Sequence, residues 1–347
     1  SAQVEIVQDL VVVRENGLYC PSGDFYIDPH RPVARALITH GHSDHARAGS
    51  QTYIAERSGL SILRHRLGDD AHSRLQGVAY GETLFFGETR VSFHPAGHVL
   101  GSAQIRIEHE GHVTVVSGDY KTVFDPTCVP LEVVPCDTFI TESTFGLPIY
   151  RFPDSEKVAG EILQWWEVCR SNGKIATLFA YSLGKAQRIL KTLSLLGAFP
   201  APIYTHPAVE AINELYRQEG VNLPDTRLLT SEHKAQTLRQ EGALIIAPPG
   251  LAENSFGRRF EGESAFLSGW MQVRGIRRRR ALDKGFIVSD HADFQGLIKT
   301  VEGTGARRVL VTHGSAQALV RYLQERGLQA FDLKDLYSHH EQYAGEE

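Results

Sequence analysis

A chain of 347 residues, 42% hydrophobic and 22% charged, has material for two folded domains and excludes a disordered or fibrous protein. Its formal net charge of −5 excludes a surface coated in basic residues for bulk nucleic-acid binding, but leaves room for a local basic groove. The four cysteines, Cys20, Cys128, Cys136 and Cys169, form no C-x-x-C pair, and no apolar run approaches the ~20 residues that span a bilayer; a reducing, cytoplasmic setting without a membrane is expected.

Residues 1–35 alternate short apolar runs with turn signals, from Leu10-Val11-Val12-Val13 through Glu15-Asn16-Gly17 to Pro21-Ser22-Gly23-Asp24. That is the pattern of β-hairpins opening the first sheet of a sandwich. A short buried strand, Ala36-Leu37-Ile38-Thr39, then runs into His40-Gly41-His42-Ser43-Asp44-His45, with four metal-ligating side chains in six residues. The loop past a strand end is where an α/β sheet opens its binding crevice. Three imidazoles and a carboxylate so spaced cannot all reach one tetrahedral ion, so they divide between two: His40 and His42 for one, Asp44 and His45 for the other. The competing reading is a solvated, histidine-rich turn.

After a partly helical stretch from Ala46 to about Gly68, a β-rich region from Val78 to Asp119 carries two further candidates. His98, bracketed by Gly97 and Gly101, supplies the third nitrogen that the first ion lacks, against a structural role for a lone loop histidine. Asp119 follows the apolar strand Val113–Val116 through Ser117-Gly118; a carboxylate there can bridge two cations, or it can be a turn aspartate. The strand Thr138–Thr141 ends in another carboxylate, Glu142.

Beyond Gly146 the pattern becomes helix Glu156–Arg170, strand Lys174–Phe179, helix Leu183–Leu196, strand Pro202–Thr205, helix Ala208–Gln218 and strand Ala243–Ala247. Strands alternating with helices indicate a parallel sheet, so residues 147–280 form a separate α/β insertion between residues 1–146 and 281–347. Within it, Ser182, Lys185, Arg258, Arg259, Arg274, Arg277, Arg278, Arg279 and Arg280 are candidates for phosphate contacts, with a solvated charged face as the alternative. The final segment restores the first pattern. A strand Phe286–Val288 leads to Ser289-Asp290-His291-Ala292-Asp293, and Val309–Val311 leads to Thr312-His313-Gly314. His313 completes the second ion beside Asp44, His45 and a shared Asp119, while His291, which no ion requires, is free to donate a proton.

These pieces, in this order, resemble the β-CASP branch of the metallo-β-lactamase superfamily, in which an α/β cap is inserted into an αββα sandwich and the enzymes cut nucleic acids. The ligand positions match His40/His42, Asp44/His45, His98, Asp119 and His313. The cap motifs match Glu142 in Thr-Glu-Ser-Thr-Phe-Gly, His291 in Ser-Asp-His-Ala-Asp and His313 in Thr-His-Gly-Ser, and Leu183-Gly184-Lys185-Ala186-Gln187 is similar to the start of the cap's Leu-Gly-Arg-Ala-Gln helix. Residues 17–29, and Arg277–Arg280 followed by Asp283-Lys284-Gly285-Phe286, look most like the bacterial DNA ligase-associated exonucleases. The resemblance implies a two-zinc site (Mn2+ or another divalent ion being the alternative), with Asp119 bridging the ions, His291 as acid and Glu142 orienting His291 or a ligand. It also implies hydrolysis of DNA from an end, and an ATP-dependent ligase and a helicase as partners. One position points towards RNA: the third cap motif is valine in DNA-specific members and histidine in RNA-processing ones, and here it is His313. An RNA nuclease resembling ribonuclease J, a small-molecule metallohydrolase and an inactive scaffold are the other readings.

Overall fold

The structure, a computed structural model, describes residues 9–68, 73–272 and 284–337. The chain divides into two compact units. One comprises Ser1–Val123, Val129–Pro148 and Phe294–Glu347, and the other comprises Phe124–Cys128 and Ile149–Asp293.

The first unit is built on two facing sheets. Six strands lie in sequence order in the first: Val12–Arg14, Gly17–Cys20, Phe25–Ile27, Arg35–Leu37, Thr52–Glu56 and Arg74–Val78. The first three pair antiparallel as hairpins and the rest pair in parallel. The stretch Ala36-Leu37-Ile38 that leads into the histidine loop is apolar because both of its faces are covered. Leu37 points into the sandwich with Ile54, Phe93, Ile105, Ile140 and Leu310. Its neighbours Ala36 and Ile38 face the other way, against Tyr53, Ala55 and Leu63 of the helix Leu60–Leu67. Truncating Leu37 to Ala would cost about 2–5 kcal/mol at such a site.

Seven strands make the second sheet, in the order Gln329–Asp332, Arg308–Gly314, Thr138–Ser143, His112–Val116, Ala103–His109, Thr89–Pro95, Thr83–Phe86. Its outer face belongs to the helices Phe294–Thr304 and Ala316–Glu325, which complete the expected αββα sandwich.

The second unit is an α/β layer structure. Its six strands all run parallel, in the order Arg227–Leu228, Ile203–Thr205, Leu244–Ala247, Ala176–Phe179, Glu263–Leu267, Lys284–Phe286. The central strands are buried at every position, as a parallel sheet with both faces covered requires. Trp165, Trp166, Ile189 and Leu190 cover one face, and Tyr204, Leu238 and Phe260 the other.

The boundary of this unit differs from the expected return at residue 281, which itself lies outside the described residues. The strand expected at Phe286–Val288 in the first domain is Lys284–Phe286, and it pairs in the second unit's sheet, with Leu267 opposite Phe286. Phe286 packs against Trp165 there, with ring centroids 5.9 Å apart, so the chain stays in this unit until Asp293. Among the described residues, no helix is long and apolar enough to cross a membrane.

Candidate metal centre

Four strand ends of the first unit deliver the candidate ligands. His40, His42, Asp44 and His45 follow the strand Arg35–Leu37, His98 follows Thr89–Pro95, Asp119 follows His112–Val116, and His313 lies near the end of Arg308–Gly314. The loop bearing Asp119 comes so close to the histidine loop that a Cβ on Gly118 would stand 2.7 Å from the Thr39 Cβ, which is why Ser117 and Asp119 are joined by glycine.

The side chains converge on one another. Nε2 of His98 is 3.2 Å from Nδ1 of His42, and the donor atoms of His40, His42 and His98 all lie within 4.8 Å of one another. Oδ2 of Asp119 is 3.4 Å from His40 Nε2, 3.2 Å from His45 Nε2 and 3.8 Å from His98 Nε2. His40 is buried, and its Nε2 has no hydrogen-bond partner, a cost that a protein accepts where an ion takes the lone pair. Burial drives the His40 imidazole well below its usual pKa range and the charge of His45 adds to this, so it presents a neutral nitrogen. A nitrogen-rich, partly carboxylate donor set in this arrangement suits Zn2+ or a similar divalent cation.

His45 is oriented from behind. Its Nδ1 lies 2.7 Å from Oδ2 of Asp28, which leaves Nε2 facing Asp119 and, at 3.5 Å, Asp44. Asp28 is itself fixed by the N–H of Thr39 at 2.8 Å and the Thr39 hydroxyl at 2.5 Å. With its oxygens so engaged, Asp28 is the group that orients His45 rather than a ligand, although it lies close enough to His40 and His45 to be counted with them. Burial opposes a charge on His45, but the carboxylates of Asp119 and Asp28 outweigh it and hold this imidazole well above its ordinary range. Asp28 was not among the expected site residues. Its backbone adopts φ 46°, and only the pairing of Phe25–Ile27 with Arg35–Leu37 brings it beside Thr39 and His45.

His313 is reached through a bulge. Glu142 stands opposite Thr312 and Ser143 opposite Gly314, so His313 is the extra residue, with φ 55°. Its carbonyl accepts a hydrogen bond from the Ser143 hydroxyl, and its ring centroid is 5.6 Å from that of His45. At Gly314, φ is 79° and a Cβ would meet the Ser143 carbonyl oxygen at 2.4 Å.

Glu142 is 1% exposed, and its carboxylate accepts from the N–H of Tyr120 at 2.8 Å and of Thr144 at 3.3 Å. It therefore holds the loop that carries Asp119. Asp44, His45, Glu142 and His313 open onto a cavity of about 160 Å³ whose inner wall is Val13, Leu18, Ile27, Val116, Ile140 and Leu333.

The remaining candidates belong to the second unit. His291 is half-buried in the segment between the strand Lys284–Phe286 and Phe294, and its N–H donates to the Ser289 hydroxyl at 3.0 Å. Ser182 and Lys185 flank the start of the helix Lys185–Leu195, where Gln187 accepts from the Gly184 N–H at 2.7 Å and donates to the Ser182 carbonyl at 2.8 Å. Lys185 does not stand on the open basic face expected of it. It is 4% exposed, its ammonium lies over the Tyr181 ring at 4.9 Å, and burial pulls it below its usual pKa range against the opposing pull of Asp290. Arg258 is exposed, but Arg259 is committed within its own unit, donating to the carbonyls of Ser231 at 2.8 Å and His233 at 2.5 Å. Arg274, Arg277, Arg278, Arg279 and Arg280 lie outside the described residues.

No family model matches the chain. A protein of Opitutus terrae named probable DNA ligase is 34% identical over 319 residues, covering 91% of this chain; the chain spans 30% of that relative's length. An RNase J-like protein of Methanocaldococcus jannaschii is 22% identical over 357 residues, 90% of this chain and 84% of the relative. The endoribonuclease YSH1 of Eremothecium gossypii is 22% identical over 307 residues, 73% of this chain and 39% of the relative. A crystal structure of a protein of unknown function from Enterococcus faecalis V583 shares the fold, with a TM-score of 0.56 at 13% identity over 81% of this chain and 75% of that one.

Proposed function

The chain belongs to the β-CASP branch of the metallo-β-lactamase superfamily, and from that premise we propose that it is a metal-dependent nuclease that hydrolyses phosphodiester bonds at DNA ends. The observation that carries the reading is the convergence of His40, His42, His98, His45 and Asp119 around a buried His40 nitrogen that has no hydrogen-bond partner. In this reading His40, His42 and His98 would hold one Zn2+ ion and Asp44, His45 and His313 a second, with Asp119 available to both. The ions, when bound, would supply Lewis acidity, a water of lowered pKa and neutralisation of phosphate charge.

The chain's own groups do the rest. Asp28 keeps the His45 proton on Nδ1, so that Nε2 is free to ligate. Glu142, through the Tyr120 N–H, fixes the loop that carries Asp119. Through that loop Glu142 would orient a ligand, one of the two roles expected for it. His291 is the proposed proton donor to the leaving oxygen, and the basic residues of the second unit, Arg258 and the run Arg277–Arg280 foremost, are proposed to hold flanking phosphates.

DNA is favoured by the similarity of residues 17–29 and 274–286 to ligase-associated exonucleases and by the relative named a probable DNA ligase, which also supports a ligase as working partner. A helicase partner comes with the same resemblance, and a cytoplasmic setting is proposed from the scattered cysteines. RNA is the second reading, supported by the relatives named RNase J-like protein and endoribonuclease and by His313. End-labelled DNA and RNA of equal length, incubated with the protein with and without chelator, separate the two. DNA shortened from one end, and only without chelator, is the expected result. Faster release from RNA, or internal cuts in a circular single strand as fast as in a linear one, would replace this reading with an RNA-processing or endonucleolytic one.

A further inference from the structure

The helix Lys185–Leu195 begins with no acidic residue in its first turn and instead places Lys185 and Arg188 there, the wrong charge for a helix N-terminus. The missing negative charge arrives from elsewhere in the same unit. Asp290, 4% exposed, lies with Oδ1 3.0 Å from Nη2 of Arg188 and Oδ2 4.0 Å from Nζ of Lys185. Arg188 is 3% exposed, and its other terminal nitrogen donates to the carbonyl of Ser289. One guanidinium thus holds two successive residues, the Ser289 carbonyl by a hydrogen bond and the Asp290 carboxylate by charge at ion-pair distance, from a planar head that a lysine ammonium does not reproduce.

These two residues immediately precede His291. On its other side, Oδ2 of Asp293 accepts from the N–H of Phe152 at 3.2 Å, and the Ser289 hydroxyl accepts from the N–H of His291 itself at 3.0 Å. The loop is therefore pinned at 289, 290 and 293, with His291 between the pins. Stability alone does not call for such a device, because a buried ion pair generally stabilises a fold no better than apolar residues of the same volume. What it provides is a single geometry, and breaking it from one side leaves the other charge buried.

We propose that Arg188 is a positioning residue for His291, acting through its grip on Ser289 and Asp290. The inference rests on the reading of His291 as the proton donor. It predicts a residue remote in sequence, with no contact to substrate, whose loss affects the chemical step in proportion to what His291 contributes.

The test is a double-mutant cycle in the full chain, loaded with Zn2+ and assayed on an end-labelled single-stranded DNA oligonucleotide. Arg188→Gln should lower kcat by about 100-fold, the scale on which a misplaced catalytic group loses rate, with KM unchanged. In a His291→Ala background the same change should have no further effect, because the group it positions is gone. Arg188→Lys should recover part of the rate. In the metal-free protein, amide hydrogen exchange of residues 289–293 should accelerate in Arg188→Gln and not in His291→Ala. Should Arg188→Gln fail to fold, Asp290→Asn, which removes the partner charge at constant shape, is read in the same way. Equal losses from Arg188→Gln with and without His291, or a wild-type kcat, would overturn the positioning role alone. A wild-type kcat for His291→Ala would overturn the proton-donor reading, and the positioning role with it.

Discussion

Asp28→Asn should weaken one metal site and spare the other. The carboxylate receives the Thr39 N–H, the Thr39 hydroxyl and the Nδ1–H of His45. Asparagine keeps the shape, tolerates the φ of 46° and still accepts from the Thr39 N–H through its carbonyl oxygen. Its amide nitrogen, however, takes the place of the oxygen that faces His45. It donates where Asp28 accepts, so Nδ1 of His45 must become the acceptor and the imidazole proton moves to Nε2, the nitrogen 3.2 Å from Asp119. A protonated Nε2 cannot ligate. Loss of such an orienting partner costs about 10–100-fold in metal affinity, or about 1.4–2.7 kcal/mol. Zinc titration of the metal-free protein by calorimetry, with chelator competition to resolve the tighter site, should show the His40/His42/His98 ion at wild-type affinity and the other weakened by that factor. Activity should return at high zinc. Two ions bound at wild-type affinity would refute the orientation argument, and an equal loss at both sites would refute its selectivity.

Asp119→Ala should remove both ions and the activity together, and metal analysis of the purified variant decides whether this carboxylate is shared. His313→Ala should weaken a single ion, whereas Gly314→Ala, whose Cβ would meet the Ser143 carbonyl at φ 79°, should lower the melting temperature through about 1–3 kcal/mol of strain and disturb the same ion indirectly. Comparing melts and zinc content of the two variants separates ligation from geometry. Neutralising two of Arg277–Arg280 should flatten the dependence of log affinity for single-stranded DNA on log salt by about 0.7 per lost phosphate contact. An unchanged slope would make them plain surface charge.

The candidate ligand loop could be read from the chain because its pattern is local: His40, His42, Asp44 and His45 share six residues just past the end of a strand. His98 and Asp119 could be found one at a time, each as a strand end that a half-filled ion would need. Asp28 could not, because its role comes from the register of two short strands, and nothing in Ile27-Asp28-Pro29 announces a hydrogen bond to a histidine 17 residues away. The bulge at His313 was equally hidden. It appears only when Glu142 and Ser143 are aligned with Thr312 and Gly314. Two of the basic residues of the cap have structural partners that the sequence does not show, for a related reason. Charge suggests a free, exposed head group, but Lys185 is buried beside Asp290, and Arg259, though exposed, holds the carbonyls of Ser231 and His233; neither pairing is visible along the chain. The sheet that Phe286 joins is not legible in the sequence, because an apolar triplet fits either sheet and only its pairing with Leu267 and packing on Trp165 decide.

The strand Thr138–Ser143 has its parallel neighbour Arg308–Gly314 far along the chain, and Ser143 and His313 are 170 residues apart. A ribosome adding about 5–20 residues per second needs roughly ten to thirty seconds to cover that distance. During that interval the nascent first unit carries an unfilled sheet edge with fully buried side chains on both faces in the finished protein, a template for pairing with other chains. Meanwhile the whole of Ile149–Asp293, a continuous run, is synthesised and free to fold on its own local contacts. His40, His42, His98 and Asp119 are all made before this interval and His313 after it, so on the proposed two-ion reading the ligands of the first ion would be complete on an incomplete scaffold, and those of the second only when the last strands dock.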